Sequence, residues 1–563
     1  MIILGINSVY HESSACILIN GKLLAASEEE RFNRIKHGKN ATPESADQLP
    51  INSINFCLEK AGVSLTDVDY IAFSFDPDLR EKTNWPKENF IINDWGSSHA
   101  ENQLLSSINR IQNKFLELDF KGKIVWIEHE MCHAASSYYC SPFVESAVLS
   151  IDGIGEEETT ALYQGNGINL TKIESIKYPN SLGFLWEKFC KYLGFSEYHA
   201  CKLMGLAAYG DEKIYQREFN SIIQIEADGL FRLNNEILQF RSNDFSQLES
   251  VFNLKKREPE ELLTFNHKNV AATLQWITDK IVNNLARRIH KTTGSKNLCL
   301  AGGVALNCVA NSSIVNSNIF ENIFINPGAH DAGTSIGAAF SLWHNILRSE
   351  QRFVLKDAYL GPSFSDTQCL SELILADLKF EKISNIEERT AQLIAEGAVV
   401  GWFQGRMEFG PRALGNRSLL ADPRNPKIRD ILNIKVKHRE IFRPFAPSIL
   451  IECADDWFDI NSNQQPNDYM LLVNSVHPEK QKLIPAVLHV DGTARIQKVK
   501  HDTNPRFYKL ISEFNEITGV PILLNTSFND DEPIVCTPKD AIETFKKTAI
   551  DYLVLNDFLI SRP

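Results

Sequence analysis

The chain has 563 residues, 43% hydrophobic and 23% charged, which is too long for one core and calls for two or three domains. Its formal net charge of −13 argues against nucleic acid as the main partner, because phosphate backbones select basic surfaces. The eleven cysteines include no C-x-x-C pair, MIILGIN lacks the basic start of a secretory signal, and no apolar run nears the roughly 18 residues of a membrane span; the expectation is a reduced, cytoplasmic protein with no membrane partner.

Residues 1–30 predict a β-meander: MIILGIN and SSACILI as strands, a hairpin turn at Asn20-Gly21, then KLLAASEE. Residues 146–176 repeat the plan with SAVLSID, TTALYQG, a turn at Gly165–Gly167 and INLTKIESI. In each copy the first strand runs into a polar stretch, NSVYHESS in one and DGIGEEETT in the other. A duplicated meander followed by helices is the plan of the actin-like ATPase fold, in which those polar turns face a shared cleft.

Val270, Leu274, Ile277, Ile281, Leu285 and Ile289 mark one face of a helix that Gly294 ends. NLCLAGGVALN and NIFINPGAHDAGTSIGAAFSLW are then two strand–turn–helix units, a form that brings backbone N–H groups to anions. The polar stretch 348–358 separates a second α/β unit, giving expected domains 1–352 and 353–563. The stretches 77–110 and 211–265 carry no motif and are where an acceptor-specific surface is expected.

HEMCH at 129–133 matches H-E-x-x-H, which on a helix sets two imidazoles one turn apart. The protease reading needs Glu130 as base and a third ligand on a nearby helix, whereas the acids Glu156, Glu157 and Glu158 follow a helix-breaking Asp-Gly-Ile-Gly. Converging turns instead supply Asp152 and Asp331, and the set His129, His133, Asp152, Asp331 suits Fe(II), Mn(II) or Zn(II). His11, on the polar turn after the first strand, reads equally as a surface histidine or as a general base for a hydroxyl.

In the C-terminal half, GRMEFGPRALGNRSLL and KVKHREIFRPF gather Arg406, Arg412, Arg417, Lys435, Lys437, Arg439 and Arg443 among glycines and prolines. DGTAR adds Arg495, and LLNTSFN adds Asn525 and Ser527 at a strand end. Arginine forks in a rigid loop suit phosphate or carboxylate. No Walker or GxGxxG motif is present.

These motifs resemble, over essentially the whole chain, the O-carbamoyltransferases of the nodulation-protein U and cephamycin carbamoyltransferase family: GINSVYHESSA, EEERFNRIKH, EHEMCHAASSYYCSPF, KLMGLAAYG, LAGGVALN and NPGAHDAGTSIGAA, then FGPRALGNRSLLADPR, KHREIFRPFAPS, DGTARIQ and LLNTSFN. The resemblance implies an actin-like N-terminal domain and a YrdC-like α/β C-terminal domain. It implies that carbamoyl phosphate and ATP, with Mg(II), give carbamoyl adenylate in the second. The adenylate then passes to the first, where a metal, usually iron(II), holds it while a hydroxyl of a small acceptor takes the carbamoyl group. Carried over by motif, His129, His133, Asp152 and Asp331 are the metal ligands, and His11 the base. Lys36 and Lys202 become phosphate or adenylate contacts, the latter with Gly302, Gly303 and Asn307. Lys437, Arg443, Arg495 and Ser527 line the carbamoyl phosphate and ATP site, helped by Arg412, Arg417 and Asn525.

Two departures stand out. Many members read H-H-x-x-H-A, where this chain has Glu130, and HACKLMG replaces the usual E-G-K-x-M-G, which bears on the acceptor side. A tRNA-directed carbamoyl or threonylcarbamoyl transferase is the alternative, opposed by the acidic balance. A homodimer is compatible with the sequence and not specified by it.

Overall fold

The computed structural model describes residues 1–83, 95–460 and 465–562; part of the expected acceptor stretch 77–110 lies outside them. Two compact units form: Met1–Glu29 with His37–Leu355, and Glu30–Lys36 with the chain from Lys356 onward. The short segment Glu30–Lys36 thus packs with the second unit, which the expected division at 352/353 did not foresee.

The first unit holds two sheets of one topology. In the first, β1 (Ile2–Asn7), β2 (Ser14–Ile19) and β3 (Lys22–Glu28) form the meander, and β4 (Tyr70–Phe73) and β5 (Lys123–Trp126) extend it in parallel in the order β3-β2-β1-β4-β5. In the second, β6 (Glu145–Ile151), β7 (Glu158–Asn166) and β8 (Asn169–Lys177) repeat the meander, and β9 (Asn297–Ala301) and β10 (Asn322–Ile325) run parallel beyond β6, giving β8-β7-β6-β9-β10. The same order built twice is the duplicated actin-like plan that the two meanders predict.

Four helices frame the functional turns: α1 (His129–Tyr138), α2 (Phe265–Thr293), α3 (Cys308–Asn316) and α4 (Thr334–Ser341). The predicted amphipathic helix over 268–291 is α2, closed by Gly294 in the left-handed conformation. α1 and α4 touch backbone to backbone, since a Cβ on Gly337 would lie 1.7 Å from the Cys132 carbonyl oxygen. This contact requires glycine, and it sets the HEMCH helix against the turn that carries Asp331. Leu4, Ile6, Ile17, Phe73, Leu104 and Phe115 belong to the buried core of the first sheet.

The second unit is also α/β. Its main sheet is built from β11 (Glu381–Lys382), β12 (Val400–Phe403), β13 (Arg417–Ala421), β14 (Ala446–Leu450), β15 (Gln497–Val499), β16 (Ile522–Ser527), β17 (Tyr552–Leu555) and β18 (Phe558–Ser561). They form one mixed sheet in the order β11-β18-β17-β12-β13-β16-β14-β15. Central β16 pairs antiparallel with β13 and β14; Asn525 is held on both sides, and Thr526 and Ser527 continue along β13 alone.

Candidate metal centre and cationic site

α1 begins at His129 because the backbone reverses there and Glu156 caps it. Both Glu156 oxygens lie 3.2 Å from the His129 N–H, and one accepts from Asp76 N–H at 2.6 Å. A carboxylate at a helix N-terminus answers the unpaired donors and the dipole. The loop carrying Glu156 is clamped in turn by the Tyr10 hydroxyl, 2.6 Å from Gly155 O, and by Arg80, 2.6 Å from Glu156 O. The sequence reading singled out neither Arg80 nor a capping role for Glu156, since both depend on long-range contacts.

On α1, His129 and His133 turn their Nε2 atoms toward each other at 3.1 Å. Asp152, at the end of β6, brings Oδ2 to 3.8 and 3.6 Å from these nitrogens. Asp331, on the turn before α4, brings Oδ1 to the same 3.8 and 3.6 Å. One ligand atom from each of the four buried residues lies within 4.8 Å of the others. Ligands about 2.1 Å from a common ion stand from about 3.0 Å apart when cis to about 4.2 Å when trans, and the 3.1–3.8 Å spacings here fall in that span, so the cluster fits a metal. The carboxylates are too far from the imidazoles for direct hydrogen bonds, which leaves the four lone pairs facing a common centre.

The surroundings orient the ligands as metal sites require. His129 Nδ1 faces Ser74 O at 3.2 Å, which leaves Nε2 to the centre. Asp152 Oδ1 accepts from Gly303 N–H at 2.6 Å, which leaves Oδ2. Gly302 makes that approach possible: its φ is +87°, and a Cβ there would lie 2.2 Å from Ile151 O. Burial would lower the His129 pKa, but Asp152 and Asp331 outweigh it and hold it well above the usual imidazole value; the same balance puts His133 at about 9. Two carboxylates that trap protons on buried imidazoles equally favour a cation in the protons' place.

Glu130 is fully buried on the other flank of α1, accepting from Ser150 Oγ at 2.5 Å. It is outside the four-residue set and closed to solvent, and the two further ligand positions come from a strand end and a turn. The protease geometry is absent from this site.

His11 stands at the edge of the cluster, with Nδ1 3.8 Å from Asp331 Oδ2 and about a third of its side chain exposed. Asn7 Nδ2 donates to the carbonyls of His11 and Glu12, each at 3.0 Å, and shapes the turn. Glu12 pairs with His37 Nδ1 at 2.6 Å and lies 3.7 Å from His330 Nε2. Burial would raise its pKa, but the His37 hydrogen bond and the His330 and His11 imidazoles hold it at about 2. His37 stacks on Tyr198 at 4.5 Å, and His11 meets the same ring edge-on at 5.8 Å. Buried Lys39 fastens the turn from behind through the carbonyls of Ser8 and Ser45; desolvation pushes its pKa down to about 7. The sequence reading did not single out Lys39; only the fold shows it directed inward.

The other expected contacts of the first unit divide. Gly303 bonds Asp152. Asn307 is committed to structure: its Oδ1 caps α3 through Ala310 N–H at 3.0 Å, and its Nδ2 donates to Gln275 at 3.0 Å. Lys202 is half-buried on the helix Ala200–Ala207. Lys36 belongs to the second unit, where its Nζ pairs with Asp531 at 2.8 Å.

In the second unit, Lys437 is buried with its ammonium on neutral oxygens: Ser527 O at 2.5 Å, Ser527 Oγ at 3.1 Å and Asn529 Oδ1 at 2.6 Å. Desolvation, with Arg439 and Arg443 close by, pulls it well below the usual lysine pKa. Arg412, Arg443 and Arg495 are half-buried, and Arg495 Nε is enclosed with no partner among the described residues. Asn529 was missed as a contact, although it stands two residues beyond Ser527 in the quoted motif. Arg417 leaves the set: it is fully buried, bonds Gln404 O at 2.6 Å, Asn416 O at 3.0 Å and Pro362 O at 3.2 Å, and lies 3.7 Å above the Phe403 ring. Its fork is occupied by backbone carbonyls, so it braces the core rather than greeting an anion.

A duplicated actin-like unit with a buried His₂Asp₂ cluster, and an α/β unit with a buried cationic site, define a two-domain enzyme. The chain belongs to the carbamoyltransferase family: residues 2–340 match the carbamoyltransferase N-terminus and 391–562 the carbamoyltransferase C-terminus. It is 40% identical to an uncharacterized protein of Synechocystis sp., over 100% of this chain and 96% of that one. It is 37% identical to the nodulation protein NolNO of Sinorhizobium fredii, over 99% of this chain and 80% of that one. Nodulation protein U of Rhizobium fredii is 27% identical, with 92% and 88% covered. The protein is therefore a transferase that moves carbamoyl groups. No helix among the described residues is long and apolar enough to cross a membrane.

Proposed function

We propose that this chain is an ATP-dependent O-carbamoyltransferase that works in two steps, one in each unit. The reading is carried by Lys437: a buried ammonium bonded only to neutral oxygens among the described residues, with Arg439 and Arg443 beside it. Asp530 and Glu532 lie near enough to offset part of this charge, but no carboxylate bonds the ammonium among the described residues, and the dianion of carbamoyl phosphate would supply that partner. Carbamoyl phosphate, Mg(II)-bound ATP and water would give carbamoyl adenylate, phosphate and pyrophosphate in this unit, with Ser527, Arg412, Arg443 and Arg495 as further donors. A hydroxyl on a small acceptor would then displace AMP from the adenylate in the first unit.

There His129, His133, Asp152 and Asp331 would hold a divalent metal, Fe(II) or else Mn(II) or Zn(II). The metal would supply Lewis-acid polarisation of an acyl or phosphoryl oxygen. His11, with its Nδ1 3.8 Å from Asp331 Oδ2, would take the proton of the acceptor hydroxyl. Asn7, Glu12 and Lys39 keep that turn in position.

The test is direct. Incubation of the full-length chain with ATP and carbamoyl phosphate should release pyrophosphate, and mass spectrometry of added hydroxylated metabolites should show a gain of one carbamoyl group. Absence of pyrophosphate refutes the donor half of the reading. Carbamoylation of tRNA instead of small acceptors refutes the acceptor half.

A further inference from the structure

The stretch 211–265, where an acceptor-specific surface is expected, returns to the metal centre through the helix Leu182–Tyr192. The start of that helix is tied to the turn that carries Asp152. Ser181 Oγ donates to Gly153 O at 2.6 Å, and Gly183 N–H to Asp152 O at 3.3 Å. Phe184 then packs on Ile154 of the same turn. The helix and the ligand turn therefore form one block.

Two charged side chains on this block have no part in the site described above. Arg241 lays its guanidinium on the Phe184 ring, 4.4 Å from the centroid. Its loop is pinned from below by Lys188, whose ammonium donates to the carbonyls of Gln239 at 3.1 Å, Ser242 at 2.8 Å and Asp244 at 3.1 Å. Glu187 follows Phe184 by three residues, so the two share a helix face. Glu187 and Arg241 are both half-buried, and neither makes a hydrogen bond or an ion pair among the described residues. Their hydrogen-bonding capacity is partly withdrawn from water and committed to nothing.

Glu187 faces the mouth of the metal centre. Burial pushes its pKa up to about 7, against the pull of Arg241 and of His11, so both of those cationic groups stand close to one carboxylate. The Tyr198 hydroxyl is raised to about 12, by burial first and then by carboxylates that include Glu187, Glu12 and Asp331. Tyr198 is 43% exposed and meets the His11 ring edge-on at 5.8 Å. Solvent thus reaches a mouth with His11 on the side of Asp331, and with Glu187 and Arg241 beyond Tyr198.

The pair carries opposite charges that do not bond each other. A carboxylate accepts and a guanidinium donates. An ammonium between them would satisfy Glu187 and be repelled by Arg241; an anion would do the reverse. A hydroxyl matches both, since its O–H donates to Glu187 while its oxygen accepts from Arg241.

We propose that Glu187 and Arg241 are specificity-determining residues that bind the second hydroxyl of a vicinal diol, whose first hydroxyl is carbamoylated. This rests on the first unit being the transfer site. In the transfer, the first hydroxyl's oxygen bonds the carbamoyl carbon, the bond to AMP breaks, and the proton goes to His11. The second hydroxyl only holds the acceptor in register.

The test uses the full-length chain with Mg(II)-ATP and carbamoyl phosphate, and follows carbamate formation by mass spectrometry on cis-1,2-cyclohexanediol and on cyclohexanol. The wild type should prefer the diol by at least about tenfold in kcat/KM, as for a site built to hydrogen-bond a hydroxyl that one substrate lacks. Glu187→Met and Arg241→Met should each bring the preference within about threefold, and Arg241→Lys, which keeps a donor, should retain more of it. Damage elsewhere slows both acceptors together, so the ratio isolates the recognition of the second hydroxyl; either methionine variant carries the test if the other does not fold. Equal use of the two acceptors by the wild type, a ratio unchanged in the variants, or pyrophosphate release with no carbamate on either acceptor overturns the proposal and leaves the donor half of the scheme standing. A preference for 2-aminocyclohexanol, which would make Glu187 the reader of an ammonium, overturns it too. So does a preference for 2-hydroxycyclohexanecarboxylate, which would make Arg241 the reader of an anion. No pyrophosphate from ATP and carbamoyl phosphate means the underlying reading has failed as well.

Discussion

Arg417→Met asks whether a buried guanidinium braces the core or binds substrate. Asn416 O and Pro362 O would keep backbone donors, Gln404 N–H at 2.9 Å and Met407 N–H at 2.8 Å. Gln404 O at 2.6 Å and Cys536 O at 3.3 Å would lose theirs. Two orphaned carbonyls at about 2 kcal/mol each, with about 1 kcal/mol for the contact on Phe403, give a gross loss of about 5 kcal/mol. Burial already depresses this guanidinium to about 10. Removing the desolvated cation returns about 3 kcal/mol, leaving a net destabilisation of about 2 kcal/mol. For a unit of this size that lowers the melting temperature by about 4–8 °C. Thermal unfolding followed beside the KM for carbamoyl phosphate separates the alternatives. A core brace predicts the lower melting point with KM within about threefold. An unchanged melting point with KM raised tenfold or more refutes the argument, since losing a charged hydrogen bond to the dianion costs about that much.

His11→Asn should slow carbamoyl transfer by about 10²–10⁴ while pyrophosphate release stays at the wild-type rate, as expected for loss of a general base alone; equal loss in both assays would sink the two-step scheme. Metal uptake by chelated, full-length protein should release protons near neutral pH, because the His133 pKa is raised to about 9 and binding requires neutral imidazoles; His133→Ala should lose metal by elemental analysis, and uptake with no proton release would contradict the site. Lys39 is pushed down to about 7 in the fold from 10.5, so between those values the unfolded chain holds more protons and stability rises with pH. Between pH 7 and 9 its share is about 2 kcal/mol, and Lys39→Met should flatten the urea-midpoint profile by that amount; identical profiles would show that the ammonium is not desolvated.

Much of the first unit was legible because it is written twice. The Asn20-Gly21 and Gly165–Gly167 turns, with an apolar strand on either side, predict both meanders, and both sheets share one strand order. His129 and His133 were legible from spacing, and Asp152 and Asp331 from the strand ends they follow. Arg417 was misread because composition cannot tell a guanidinium that meets carbonyls from one that meets a ligand. Arg80 and Lys39 were silent for a related reason: each acts through backbone carbonyls, which carry no sequence signature.

The seven residues Glu30–Lys36 have a practical consequence. Within the second unit Arg31 donates to Gly410 O at 2.9 Å, and Arg34 to Pro533 O at 2.6 Å and Ile534 O at 2.7 Å. The polypeptide therefore visits that unit early, returns, and re-enters at Lys356. No single cut separates the halves. A fragment begun at residue 356 would lack a native piece of its own body, with three carbonyls stripped of their arginine donors. During synthesis the second unit must likewise wait for its last strands while its first seven residues have long since emerged, so the two halves are bound into one folding problem although each has its own sheet.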